Sequence, residues 1–512
     1  MIRRLDINDW RVIGHYLGAL TLLMAGLMFI PLVMALCLGE YESAVSFVLS
    51  AGITGICGAV LLFCKVDRGN MSWRQALVIV GLAWLFLSFF GSIPLWFSNH
   101  YASFLDAFFE GVSALTASGL SLAVDLDHMA MSVNTWRFIM HLTGGIGVLV
   151  IAVALGVFGS GAGVAALYQA EGRSDHVLPE IKQTSRFIAK VSGVIIASGF
   201  VACAIPLLLK GMSPLRALIN SFWVTTSAYA TGGMTGQTSG IMFYHSWPLE
   251  IITLFLMFFG TINFLLYGDL WRGAIKSFFK DIEIRTLVIW IAILVVLMMF
   301  ALMNNASYFR DSFSMLRRVL YLILAAATNT GFTTTYSGQV LYAMSSGAFF
   351  VVILAMMVGG SASSTTGGIK ALRIGIIAKT IVQTVREALA PDRARPRTFF
   401  YHQGRQLLSP ELASSAMTIF LLYIVTFAIG SVLGIAYGYD VLPSIFESVS
   451  AASNAGLSSG IVEPGMPIGL EIFYMAQMWL GRLEFIALFA MFIQIASSLF
   501  KGRKRENEGG RQ

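Results

Sequence analysis

Apolar runs of about twenty residues recur from one end of the chain to the other, separated by short polar or basic stretches. Each run is long enough to cross a hydrocarbon core of ~30 Å. A finer pattern interrupts the runs. The stretch "AAATNTGFTTTYSGQ" (325–339) is small, rich in threonine and broken by glycine, yet it lies between the apolar runs "RRVLYLILAAA" and "MSSGAFFVVILAMMV". It has three relatives. "FFEGVSALTASGLS" (108–121), "FWVTTSAYATGGMT" (222–235), "YLILAAATNTGFTT" (321–334) and "FESVSAASNAGLSS" (446–459) all pass from a helix-like run through small and hydroxyl residues to a glycine and an apolar residue. Aligned on Gly119, Gly233, Gly331 and Gly456, they place Ser113, Ser227, Ala325 and Ser450 in one column, and Glu110 and Glu447 in another.

A second element follows each glycine at a roughly constant distance: "TGGIGV" (143–148), "FGTINF" (259–264), "VGGSAS" (358–363) and "LGRLEF" (480–485). A recurring pair of motifs marks a repeated supersecondary unit. Each unit predicts an apolar helix, a short re-entrant pore helix, a glycine segment and a second apolar helix. Four units occupy 71–170, 171–280, 281–405 and 406–512, the last ending in a basic tail, and a leading pair of helices occupies 1–70. The predicted fold is an all-α polytopic membrane protein with ten spanning helices. Its four pseudosymmetric helix–pore-loop–helix units surround one ion pore.

Composition supports this. Hydrophobic residues make up 57% of the 512 residues and charged residues 12%. The charged share is half the roughly 25% of a soluble domain, and the mean hydropathy is +0.76. The N-terminal run reads as an uncleaved spanning helix, being too long for a signal peptide. The net charge of +7 gathers in stretches at alternate helix ends. By the positive-inside rule these face the cytoplasm, as do both termini, and the same placement argues for topology rather than nucleic acid. Cys37, Cys57, Cys64 and Cys203 sit in apolar runs without metal-ligand spacing and read as small buried hydrophobes.

The glycine segments carry the chemistry. Irregular backbone at membrane depth survives only where protein or a water-filled path satisfies it. Glycine adopts conformations closed to other residues, so successive carbonyls can point one way. Four such strands around an axis give rings of oxygens that can replace the water shell of a cation about the size of potassium. The predicted ion-binding residues are Thr116, Ala117, Ser118 and Gly119; Ala230, Thr231, Gly232 and Gly233; Thr328, Asn329, Thr330 and Gly331; and Ser453, Asn454, Ala455 and Gly456. Glu110 and Glu447 either raise the local cation concentration or bond the segment's backbone from behind. His141 reads as a packed, neutral side chain. No nucleophile triad and no His/Cys cluster stands out, and "GSGAGVAAL" (159–167) lacks the strand and lysine of a nucleotide loop. The chain reads as a non-enzyme with no organic cofactor.

One second helix is expected to be broken where the others continue. "MMVGGSASSTTGGIKALRI" (356–374) carries Gly359, Gly360, Ser361, Ser363, Ser364, Thr365, Thr366, Gly367 and Gly368, a run with poor helix propensity. A broken helix in a membrane is expected beside the transport path. Arg482 lies in the apolar run "MWLGRLEFI", and a charge in such a run marks a functional site. Carbonyls of the Gly/Ser run are its expected partners, with Glu484 or another acid as the alternative.

"TNTGFTTT", "VGGSASSTTGGIKALRI", "LGRLEF" and "LTGGIGV" resemble the bacterial Trk/Ktr/HKT superfamily of potassium transporters, and most closely its TrkH-type subunits, over essentially the whole chain. The leading pair is a TrkH-type feature. The resemblance implies a four-fold pseudosymmetric, channel-like fold, potassium as the transported ion, and a homodimer in the bacterial inner membrane. It implies a cytosolic ring of nucleotide-binding, TrkA-like regulatory subunits. It also implies that the Gly/Ser run forms an intramembrane gating loop that obstructs permeation, with Arg482 bordering the pore and helping to hold it. Glycine at 119 favours potassium over sodium in this family. Proton- or sodium-coupled symport, and weakly selective potassium/sodium transport, stay open as alternatives. The basic stretch 388–406 meets a cytosolic partner or lipid headgroups, or marks topology alone.

Overall fold

In a computed structural model of the chain, residues 5–63, 71–147, 150, 152–153, 181–302, 312–334, 345–391 and 397–500 are described. Cys64, the glycine-rich stretch 159–167 and the tail beyond 500 lie outside them. Six described helices are long and apolar enough to cross a membrane unaided: Ile7–Leu38, Tyr41–Leu62, Trp73–Phe97, Gln183–Leu209, Ile282–Leu302 and Pro410–Ala436. The first two are the leading pair, and the other four open the four units.

The second helices are shorter: Met131–Ile146, Trp247–Thr261, Ser346–Met357 and Ile468–Leu483. Each stops at the second repeated element, which corrects the expectation that only the third would break. Unit one breaks at Gly147, φ 104°, and unit two at the extended Ile262. Unit four breaks at Glu484, φ 58°, after which Phe485–Ser498 leaves at 112° to the preceding helix. Unit three has the long break, from Val358 to Lys370.

Glycines in the second element set how closely the second helices of units one, two and four meet their own pore helices. A β-carbon on Gly144, Gly260 or Gly481 would overlap the carbonyl oxygen of Leu115, Tyr229 or Ala452, respectively. All three carbonyls lie at the C-terminal ends of pore helices (Phe104–Thr116, Pro214–Tyr229 and Val441–Ser453). Small residues allow this backbone approach in membrane helices.

The packing closes on itself. The second helices of units one, two and three pack on the pore helices of units two, three and four, and that of unit four packs on the pore helix of unit one. The last helix, Phe485–Phe500, lies against Trp73–Phe97. The pore helices therefore form the centre, and the long helices face outward with exposed apolar side chains such as Val288, Phe300, Leu421 and Val432, as lipid contact requires. Cys37 belongs to this outer surface and Cys57 is half-exposed; only Cys203 is buried among the described cysteines.

The leading pair joins through Gly18 and Gly58, each lacking room for a β-carbon against the other helix. It also caps unit one. Both Glu40 oxygens accept from the start of the second helix, at 2.9 Å from Met131 N and 3.0 Å from Ser132 N. A carboxylate is favourable at these unpaired N–H groups. Between units three and four, Phe399–Tyr401 and Arg405–Leu407 form a small antiparallel hairpin.

Candidate functional site

The four glycine segments have one backbone conformation. Ala117, Thr231, Asn329 and Asn454, two residues before each glycine, take left-handed φ values of 57°, 52°, 51° and 54°. A left-handed conformation costs a non-glycine residue roughly 1–2 kcal/mol, so a fourfold recurrence reflects a shared requirement. The glycines follow with φ of 84°, 64°, 78° and 75°. The turn is a Schellman helix ending: the N–H groups of Ser118, Gly232, Thr330 and Ala455 donate to the carbonyls of Ser113, Ser227, Ala325 and Ser450 at 2.9, 3.4, 2.8 and 2.9 Å. Those acceptors are the column aligned in the sequence.

The segments meet in cyclic order. A β-carbon on Gly119 would overlap Gly232 O; on Gly233, Thr330 O; on Gly331, Ala455 O; and on Gly456, Ser118 O. Each glycine is thus pressed on the carbonyl that precedes the next unit's glycine, and the fourth returns to the first. All four glycines line one cavity of about 250 Å³, with Ser121, Thr235, Phe332 and Ser458 among its walls. The side chains just ahead of the glycines differ around the ring. Thr116 and Ser118 face each other at 2.8 Å in unit one, and Thr328 and Thr330 do so at 2.8 Å in unit three, whereas units two and four have Ala230, Gly232, Ser453 and Ala455 there. Asn329 and Asn454 brace the backbone: Asn329 Nδ2 donates to Met356 O and Ser453 O at 3.0 and 2.8 Å, and Asn454 Nδ2 to Met478 O and Ser118 Oγ at 2.9 and 2.6 Å.

Glu110 and Glu447 bond from behind. Glu110 Oε2 accepts from Leu122 N at 3.1 Å and Glu447 Oε2 from Ser459 N at 2.7 Å, each three residues past its glycine. Glu110 also meets Arg137, which the sequence reading missed. Both side chains are fully buried, and Arg137 Nε donates to Glu110 Oε1 at 2.8 Å. Arg137 Nη1 reaches Asn134 Oδ1 at 2.7 Å and Thr235 O, in unit two, at 3.0 Å. A lone arginine in "TWRFIMHL" was the available signal. His141 is fully buried beside Gly232.

The Gly/Ser run forms a loop against Asn329, Ser453 and Asn454, which precede two of the ring glycines. Its ends are tied by Gly359 N to Ile369 O at 3.0 Å and Ile369 N to Met357 O at 3.1 Å. Unit two holds its middle: Ser361 N donates to Thr261 O at 3.0 Å and Thr365 N to Gly260 O at 3.2 Å, while the Thr365 and Thr231 hydroxyls lie 2.8 Å apart. A β-carbon on Gly367 would overlap Ser453 O. Gly360 N donates to Thr366 Oγ1, Ser364 Oγ lies 2.9 Å from that hydroxyl, and Gly368 turns at φ 67°.

Arg482 crosses from unit four to this loop. Nη1 donates to Thr365 O, and Nη2 to Gly144 O and, at 2.7 Å, to Gly145 O. Thr365 O is a partner of the expected kind from the Gly/Ser run, whereas Gly144 O and Gly145 O, from unit one, were not expected. Glu484 pairs instead with Arg373, whose Nη1 lies 3.0 Å from Oε1 and whose Nη2 meets Oε2. This fork holds Glu484 at φ 58° and ψ 148°, a region that costs a non-glycine residue about 1–3 kcal/mol.

Four like units arranged cyclically in an apolar, helical shell, each glycine pressed on a carbonyl of the next unit, define a pseudo-fourfold integral membrane protein. Its residues 45–500 match the TrkH family, described as "Cation transport protein", and the chain belongs to that family. It is 29% identical over 491 residues to an uncharacterized cation transporter of Methanocaldococcus jannaschii, covering 96% of this chain and 97% of that one. It is 28% identical over 501 residues to the Trk system potassium uptake protein TrkH of Vibrio parahaemolyticus, covering 94% and 98%. The crystal structure of the potassium transporter TrkH from that organism superposes with a TM-score of 0.78 at 26% identity, covering 94% of this chain and 98% of that chain.

Proposed function

We propose that this chain carries potassium into the cell through a gated, channel-like pore whose selectivity filter is the ring at Gly119, Gly233, Gly331 and Gly456. The cyclic contact of each glycine with the next unit's carbonyl supports this most directly. Such a ring supplies fixed oxygen dipoles in place of a hydration shell, and the pore helices point their partly negative ends toward it. A buried Ser453 hydroxyl without a hydrogen-bond partner, one residue ahead of Asn454, fits an oxygen-lined passage for a cation. The four units act as one pore and the leading pair as its flank. Residues 359–368 serve as the gate, and Arg482 holds it closed. The relatives' names, with the potassium transporter TrkH among them, support the choice of ion. On this reading the chain works in the bacterial inner membrane as a homodimer with both termini cytoplasmic, served by cytosolic regulatory subunits of the TrkA-like, nucleotide-binding kind. Uptake is driven by the membrane potential, worth about 2.3 kcal/mol per charge per 100 mV.

Parallel potassium and sodium flux into liposomes tests this. Potassium flux well above sodium flux is expected; equal fluxes would remove the selectivity assignment. Arg482→Ala is expected to raise leak by about tenfold, because charge-assisted hydrogen bonds of this kind are worth roughly 1.5–3 kcal/mol each. An unchanged leak would end the role of Arg482 in closure.

A further inference from the structure

The sequence places "KDIEIR" and "YHQG" far apart, and the fold brings them together. Asp281, Glu283 and His402 are all buried, and one ligand atom from each lies within 4.8 Å of the others. His402 Nδ1 is 3.1 Å from Asp281 Oδ2. The hairpin sets this geometry. Phe400 shares one buried apolar cluster with Ile282, between the two acids, and with Ile376, Leu408 and Ala416. Ser277 Oγ meets the Tyr401 hydroxyl at 3.0 Å, so His402, at the start of the hairpin turn, is aimed at the carboxylates.

The other side of the cluster touches the Gly/Ser loop. Glu283 Oε1 accepts from Ala362 N at 2.7 Å, and its Oε2 accepts from Asn263 Nδ2 at 3.2 Å. Two buried carboxylates beside one imidazole are costly unless cationic charge offsets them. We propose that Asp281, Glu283 and His402 form a divalent-cation site of the zinc class that fastens the hairpin to the Gly/Ser loop. One imidazole nitrogen with two carboxylate oxygens is a borderline donor set suited to zinc; magnesium and calcium take all-oxygen shells of six or more ligands. Three protein ligands with a further position open is a common zinc arrangement. The Asn263 and Ala362 donors fix Glu283 as outer-shell partners orient a ligand.

The test uses the full-length protein stripped with a chelator and dialysed. Zinc is titrated into wild type, His402→Gln and the control His128→Gln, an exposed histidine paired with Asp125. Bound metal is counted by elemental analysis, and cobalt absorption reports its ligands. Wild type and His128→Gln are expected to hold about one tight zinc per chain. His402→Gln should bind at least about 100-fold more weakly, at the upper end of the 10–100-fold that loss of a mere outer-shell partner costs. Zinc should also slow amide hydrogen exchange across 397–408 and 359–368 in wild type. No tight zinc in wild type would overturn the site whatever the variants do. Equal affinity in a monodisperse His402→Gln would place the metal elsewhere. Tight binding through His402 without slowed exchange would overturn the fastening.

Discussion

Gly331→Ala is expected to lower potassium flux by roughly a hundredfold while the protein still folds. Two effects combine at this position. Its φ of 78° is strained for alanine, and its β-carbon would overlap the Ala455 carbonyl oxygen. Pushing that carbonyl away removes one oxygen from its ring and enlarges the gap between units three and four. Overpacking costs about 1–3 kcal/mol, and each 1.36 kcal/mol on a barrier is a factor of ten in rate. Gly460 separates the two effects: it has φ 98° and open space around its β-position. Gly460→Ala should carry the conformational strain and leave flux near wild type. Equal losses in both variants would mean that backbone strain, and not displacement of a ring carbonyl, governs the flux.

Arg137→Ala has the largest expected effect on stability. It leaves Glu110 buried without its guanidinium, and breaking a buried pair in this way costs about 3–5 kcal/mol. The damage should also reach the ring, because Glu110 holds Ser121 Oγ and Leu122 N and Arg137 holds Thr235 O. A large fall in the thermal midpoint in detergent is expected. Combining Arg137→Met with Glu110→Leu should recover part of it, since both charges are then removed together. A double variant as unstable as the sum of the singles would show that the two side chains do not act as a pair.

The sequence carried the repeat clearly. Glycine is the only residue that suits the left-handed turn and the close carbonyl contact together, so Gly119, Gly233, Gly331 and Gly456 show through divergent neighbours. The Gly/Ser loop was legible through its poor helix propensity, and so was the Thr365 carbonyl partner of Arg482, but not those of Gly144 and Gly145. The breaks in the other three second helices were not. Glu484 turns the chain with an ordinary side chain in a strained conformation, stabilised by Arg373 more than a hundred positions away. Arg137 with Glu110, and His402 with Asp281 and Glu283, meet only because helices and a hairpin from different parts of the chain pack together. Contact of that kind has no local periodicity to betray it.

Because one polypeptide supplies all four quadrants, a codon change alters one quarter of the ring and leaves the rest intact. In an assembly of identical subunits the same change would appear four times at once. The paired hydroxyls found in units one and three but not in two and four, and a long Gly/Ser loop in unit three, are asymmetries open only to such a chain. In the gated pore proposed above, displacement of the loop would be a one-body event. Within a chain its dependence on any effector is expected to be hyperbolic, and steepness beyond that would have to come from other chains.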